Sequence, residues 1–323
     1  MSTDTQAVLA TQTATQMATL ALTQSAILGE GLQWHAGSGR WWWTDIEAST
    51  LNAWTPGEAN TLVVKLPDRL GSFAHTRSGR LLLGLAKRLC MASLVDKQAS
   101  GGATASLQAL TPLCPVDAAE PRTRINDGRT DRSGNFVFGT MNEVGEQRAI
   151  GSFYQYSVRH GLRRLALPAV SIANSICFSP DGGTMYFCDT FSQAIMQCDY
   201  DADSAQVANQ RLFTRITPDH AWPDGAVIAA DGSLWNAQWG AGRVVQYSPE
   251  GQAMRVVAMP AAHTTCPAFG GENYSQLMVT SARQKLSREA LEAQPLSGSL
   301  FGLAAPEFRG LPDALFDDRP IAA

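Results

Sequence analysis

Apolar and polar positions alternate along this chain in short runs, each opening on a turn residue and carrying aromatic or β-branched side chains. The runs are Gly39-Arg40-Trp41-Trp42-Trp43-Thr44-Asp45, Gly79-Arg80-Leu81-Leu82-Leu83-Gly84 and Gly134-Asn135-Phe136-Val137-Phe138-Gly139. They continue with Gly183-Thr184-Met185-Tyr186-Phe187-Cys188-Asp189, Gly232-Ser233-Leu234-Trp235-Asn236-Ala237 and Ser275-Gln276-Leu277-Met278-Val279-Thr280. A period of two bounded by glycine and aspartate predicts strands and hairpins, not helices. Further strands are expected after most anchors, at 50–54, 152–156, 194–198, 243–247 and 299–303. The anchors are spaced by 40, 55, 49, 49 and 43 residues. A long, near-constant repeat is unlike a sandwich and suits one four-stranded propeller blade. The expected fold is therefore all-β: a six-bladed propeller of four-stranded antiparallel blades around a central channel.

Composition narrows this picture. With 323 residues and 45% hydrophobic content the chain can bury a large core, and the repeat assigns nearly all of it to one domain. We expect a poorly ordered leader over residues 1–18 and a single propeller over 19–323. Residues 5–29 are uncharged but rich in Thr and Gln, without the basic and apolar regions of a signal peptide. No run of apolar residues is long enough for a membrane span. A net charge of −4 gives no electrostatic reason to expect nucleic acid or an anionic membrane as partner. The six cysteines contain no C-x-x-C pair and read as buried free thiols of a cytoplasmic protein. A small-molecule ligand is the expected partner, with the protein a monomer or a weak homo-oligomer.

Counting back eight or nine residues from each anchor samples the loop leading into the innermost strand of each blade. The positions are Glu30, Asn126, Asn174 and Asp224, with Leu70 or Gly71 in the second blade and Cys266 beside Thr265 in the sixth. Four oxygen-bearing side chains converging on one end of the axis point to a hard divalent cation. Asp and Asn also favour turns, so the spacing alone leaves both readings open. Pro180-Asp181-Gly182 and Pro223-Asp224-Gly225 share a tripeptide but not a place in the repeat: the first reads as a hairpin turn, the second leads into an inner strand.

The segments Leu28-Gly29-Glu30-Gly31-Leu32-Gln33-Trp34, Arg124-Ile125-Asn126-Asp127-Gly128, Gly139-Thr140-Met141, Pro223-Asp224-Gly225, Trp239-Gly240-Ala241-Gly242-Arg243-Val244 and Phe269-Gly270-Gly271 occur in this order. Together they resemble the signatures of the gluconolactonase/regucalcin (senescence-marker protein) family, over residues 20–305. The resemblance implies a single divalent ion (calcium first, with manganese, zinc or magnesium as alternatives) held by Glu30, Asn174 and Asp224. It also implies substrate contacts from Arg124 and Asn126. Glu143 is a further substrate-binding candidate, since it follows Thr140-Met141-Asn142 where relatives carry an acidic pair; here Val144 takes the second place. Two other departures are Ser175-Ile176 where Gly-Leu is usual, and His35 where an acidic residue is usual. The implied activity is metal-assisted hydrolysis of a sugar lactone to its aldonic acid, with Asp224 accepting the proton of the attacking water. A phosphotriesterase-type ester hydrolase and a non-enzymatic calcium- or ligand-binding propeller are the alternatives.

Other reactive-looking groups read as structural. The five histidines lack metalloprotease spacing, although His75 and His220 stand near the channel loops. No G-x-S-x-G elbow is present. Trp41-Trp42-Trp43 is expected to pack between blades, and Gly240-Ala241-Gly242 to form a tight turn. Residues 96–122, in blade two, mix Gly, Ala, Ser and Pro without period, and the entry loop of that blade is expected to form a lid or wall.

Overall fold

Alternation along the anchor strands decides which blade each side chain meets. Successive side chains of Arg40–Asp45 point to opposite faces of their sheet. Trp41 and Trp43 pack with Leu32, Cys266, Met278 and Leu300 toward the sixth blade. Trp42 packs with Leu51, Phe73 and Leu83 toward the second. All three indoles are buried, so the tryptophan run is inter-blade packing, as the pattern implies. Burial on both faces of most sheets also explains why charged residues are only 17% of the chain.

The computed structural model describes residues 15–99, 102–146, 148–217, 220–304, 307 and 309–320. Six antiparallel sheets follow in chain order. Blade one is Gly29–His35, Arg40–Asp45, Thr50–Trp54 and Leu62–Lys65; blade two is Leu70–His75, Leu81–Leu85, Arg88–Ala99 and Gly102–Pro115. Blade three is Thr123–Thr130, Phe136–Asn142, Phe153–Ser157 and Gly161–Arg164; blade four is Ala173–Phe178, Thr184–Asp189, Ala194–Asp201 and Gln206–Arg215. Blade five is Trp222–Ile228, Leu234–Trp239, Arg243–Tyr247 and Ala253–Ala258. Blade six takes Thr264–Gly270, Gln276–Ser281 and Leu300–Ala304 from the C-terminal region and its outer strand, Thr19–Leu22, from the N-terminal region. Thr19 pairs with Gly302 there, so strand pairing between distant parts of the chain closes the ring.

Of the expected leader, residues 1–14 lie outside the described residues; Thr15–Met17 pair in parallel with the outer strand of blade five. Most of residues 96–122, which show no period in the sequence, are strand. Arg88–Ala99 and Gly102–Pro115 form one long antiparallel hairpin, the outer pair of blade two. Its Ala, Ser and Thr content hides the alternation that marks the other strands. No helix among the described residues is long and apolar enough to cross a membrane. The six cysteines are free thiols, and all but Cys114 are buried.

The innermost strands start at one end of the channel and finish at the other. In all six the pairing register slips near the start: between Glu30 and Gln33, Leu70 and Ser72, Ile125 and Gly128, Asn174 and Cys177, Pro223 and Ala226, and Thr264 and Pro267. A bulge bends its strand and re-aims a side chain. Repeating it six times produces a ring of residues freed from strict alternation at one end of the axis. The far end is crossed by residues 309–320. Gly310 bridges to Ala229 and Phe316 to Thr76, while Asp317 N–H donates to the Gly134 carbonyl. Phe316 is fully buried there, stacked on Tyr156.

Candidate active site

The oxygen-bearing residues stand on the inner strands themselves, at the bulges, and not in the loops before them as expected. Glu30 is the second residue of Gly29–His35, Asn174 the second of Ala173–Phe178 and Asp224 the third of Trp222–Ile228. Each is at most 9% exposed. Asp181, in the other Pro-Asp-Gly tripeptide, accepts Gly183 N–H at 3.0 Å in a hairpin turn, far from this ring in the repeat. The blades approach closely here: a Cβ on Gly225 would lie 2.8 Å from the Thr265 carbonyl oxygen, so Asp224 must be followed by glycine. Ser175 adopts φ 59°, in the left-handed region that glycine favours. The strain costs about 1 kcal/mol. The Ser175 hydroxyl offsets it by donating to the Asp224 carbonyl at 2.6 Å and accepting Asn236 Nδ2–H at 3.1 Å.

One chain of hydrogen bonds runs through the site. Arg124 Nη1 donates to Asn126 Oδ1 at 2.7 Å and to the Ile125 carbonyl at 2.9 Å. Asn126 Nδ2 donates to Asn174 Oδ1 at 3.1 Å and to the Ala173 carbonyl at 3.0 Å. Asn174 Nδ2 donates to Thr190 Oγ1 at 2.9 Å, and the Thr190 hydroxyl donates to the Pro223 carbonyl at 3.1 Å. Both amide groups of Asn174 are thereby oriented, its nitrogen toward Thr190 and its oxygen toward Asn126. Glu143 does not line the cavity. It pairs with Arg69 and lies 3.5 Å from Arg124 Nε, so it holds a guanidinium that does.

Burial raises the Glu30 carboxyl to about 8, and the negative charge of Asp127 adds to the effect. Asp224 is pushed well above the ordinary carboxylate range by burial, then by the charges of Glu30 and Asp127. Asp127, quoted within the Arg124–Gly128 segment but given no role there, is raised by burial while its carboxylate accepts Ile176 N–H at 2.8 Å. It braces the bulge of blade four and adds a third negative charge. Two buried carboxylates that repel one another beside a fixed amide oxygen are a donor set suited to a hard divalent cation.

These groups occupy the closed end of a cavity of about 360 Å³. Its lining includes Glu30, Arg124, Asn126, Asn174, Asp224 and Thr190. Toward solvent it is lined by Phe191, Trp222, Trp239 and Lys285. Of these, only Trp239 stood in a quoted motif; Thr190 and Phe191 follow an anchor strand, where nothing in the spacing marks them. His75 and His220 are not in the lining. His75 ends its inner strand at the far end of the channel, stacked on His35 with centroids 4.2 Å apart.

The chain matches the description of the SMP-30/gluconolactonase/LRE-like region over residues 28–283. It is 42% identical to an L-arabinolactonase of Azospirillum brasilense over 304 residues, covering 91% of this chain and 96% of that one. It is 29% identical to a regucalcin of Xenopus laevis, covering 90% and 94%. Among solved structures, the calcium-binding protein regucalcin of Agrobacterium tumefaciens superposes with a TM-score of 0.82 at 31% identity, over 94% of this chain and 99% of that one. With the propeller, the in-order motifs and these matches in agreement, the chain belongs to the SMP-30/gluconolactonase/LRE-like family.

Proposed function

We propose that this protein is a sugar lactonase that opens an aldonolactone to the aldonic acid at the closed end of the axial cavity. The observation that carries the reading is the convergence of Glu30, Asn174, Asp224, Arg124 and Asn126 on that one cavity. The 42% identity to an L-arabinolactonase makes a five-carbon aldonolactone the first substrate to test.

Glu30, Asn174 and Asp224 would hold one divalent cation, with calcium the first candidate because a structural relative is described as calcium-binding. When bound, such an ion supplies Lewis-acid stabilisation of the charge developing on the carbonyl oxygen and makes water more acidic. Arg124 has N–H groups left over after its bonds to Asn126 and Ile125, and these bind lactone hydroxyls. Asn126 uses both N–H groups on Asn174 and Ala173, so it offers substrate the remaining lone pair of Oδ1 and holds the Asn174 oxygen in place. Glu143 positions Arg124 through its ion pair. Asp224 accepts the proton as the water oxygen bonds to the carbonyl carbon. The bond from that carbon to the ring oxygen then breaks, and the leaving oxygen takes the proton back from Asp224.

Acid release from a panel of aldonolactones, followed by pH-stat with and without a chelator, tests the reading. We expect turnover of at least one pentonolactone, its loss on chelation and its return with Ca²⁺, Mn²⁺ or Zn²⁺. Paraoxon, included as a control, is expected to stay intact. Absence of turnover on every lactone with each ion present would overturn the assignment, as would paraoxon as the preferred substrate.

A further inference from the structure

We propose that Trp222 and Trp239 form a preset aromatic wall that recognises the closed lactone ring and not the open-chain acid, an inference that rests on the lactonase reading above. The two residues pair directly across the first and second strands of blade five, so both side chains leave the same face of the sheet. Both line the cavity that holds Glu30 and Asp224.

Each indole is held from behind. The Trp239 ring stacks on His263 with centroids 3.9 Å apart and planes 16° from parallel. His263 is itself fixed, with Nδ1 3.1 Å from the Gln284 carbonyl oxygen and a backbone bridge joining it to Trp239. Trp222 lies along Gly240. A Cβ at Gly240 would stand 3.1 and 3.2 Å from two indole carbons and 2.7 Å from the His220 carbonyl oxygen. Gly240, at φ 85°, thus leaves the space that the ring fills. His263 is a positioning residue for Trp239, as Gly240 is for Trp222.

A wall of rigid apolar faces suits one state of the reacting molecule. A closed lactone presents a continuous C–H surface on its ring, which packs on an aromatic face at little entropic cost. Hydrolysis removes that surface, since the product is a flexible, hydrated chain bearing a carboxylate. A carboxylate gains nothing from the electron-rich aromatic face and loses water there. The wall therefore contributes to binding of the lactone and of the ring-like transition state, and releases the acid.

The test compares KM and kcat for the aldonolactone that the wild type opens fastest with Ki for the corresponding aldonate, in W239A, W239F, H263A and H263F. We expect W239A to raise KM about tenfold, the equivalent of one lost stacking contact. Its kcat should stay within about threefold and its aldonate Ki within about twofold. H263A should raise KM several-fold, and H263F, which restores a flat ring behind Trp239, should return it to near the wild-type value. An unchanged Ki shows that a variant retains its site; should W239A not fold, W239F and H263A carry the comparison. An unaltered KM in the folded variants, or KM and Ki rising together, would overturn the wall alone. A wild type inert toward all aldonolactones would overturn it together with the lactonase reading.

Discussion

His75 sets an acid limit on the stability of the propeller. Its ring stacks on His35 and meets the edges or faces of Trp42 and Phe73 at 5.2 and 5.9 Å. Its Nε2 is buried without a hydrogen-bond partner. Burial, with the neighbouring His35 adding to it, lowers the imidazole from 6.5 to about 3. The folded protein thus keeps His75 neutral while the unfolded chain takes up a proton as pH falls below 6.5. Its contribution to stability is complete above that value and drains away between pH 6.5 and 3. Each pH unit in that window removes about 1.4 kcal/mol. Between pH 7 and pH 5 the loss is about 2 kcal/mol, which for a chain of this size lowers the melting temperature by about 3 °C. His75→Phe keeps a flat ring against His35 and removes the titration. Calorimetric melts of both proteins from pH 8 to 4 should diverge only on the acid side, with the variant the less acid-sensitive. Any packing cost of the larger ring shifts its curve equally at every pH. Parallel curves for the two proteins would mean that His75 sets no acid limit on the fold.

Two further outcomes follow from the geometry. Phe316 is fully buried in the segment that crosses the far end of the channel, so Phe316→Ala should cost about 3–5 kcal/mol in denaturant unfolding while leaving KM unchanged; a loss below about 1 kcal/mol would mean that the segment is not docked. Asp224→Asn keeps the shape of the side chain but not its basicity. It should lower kcat by at least about a hundredfold with the circular dichroism spectrum intact, and wild-type kcat would remove Asp224 from the proton-transfer role.

What could be read from the chain alone divides along physical lines. The second strand of every blade was legible because it is buried on both faces and bounded by a turn, as in Trp41-Trp42-Trp43 or Phe136-Val137-Phe138. Outer strands such as Gln206–Arg215 face solvent and lose the apolar half of their alternation. The closing pair of Thr19 with Gly302 joins residues too distant for any local pattern to report. At the site, counting from the anchors located Glu30, Asn126, Asn174 and Asp224, since each repeat places its bulge at the same step. Counting did not show that these residues lie on the strands, because a bulge breaks alternation and so resembles a loop. Thr190 orients Asn174 from a 3-10 turn outside the repeat, and His263 supports Trp239 across a blade boundary. Contacts between blades depend on how the sheets are arranged around the axis, which no spacing within one blade encodes.

In the proposed mechanism Glu30, Asn174 and Asp224 hold one divalent ion in the channel of an active lactonase. Crystals of the active enzyme equilibrated with Mn²⁺, examined by anomalous scattering, test it most directly. One anomalous peak is expected within bonding distance of an oxygen from each of the three side chains, and no such peak in Asp224→Asn. A peak elsewhere on the protein, or none in an enzyme that turns over its lactone in the same buffer, would contradict it.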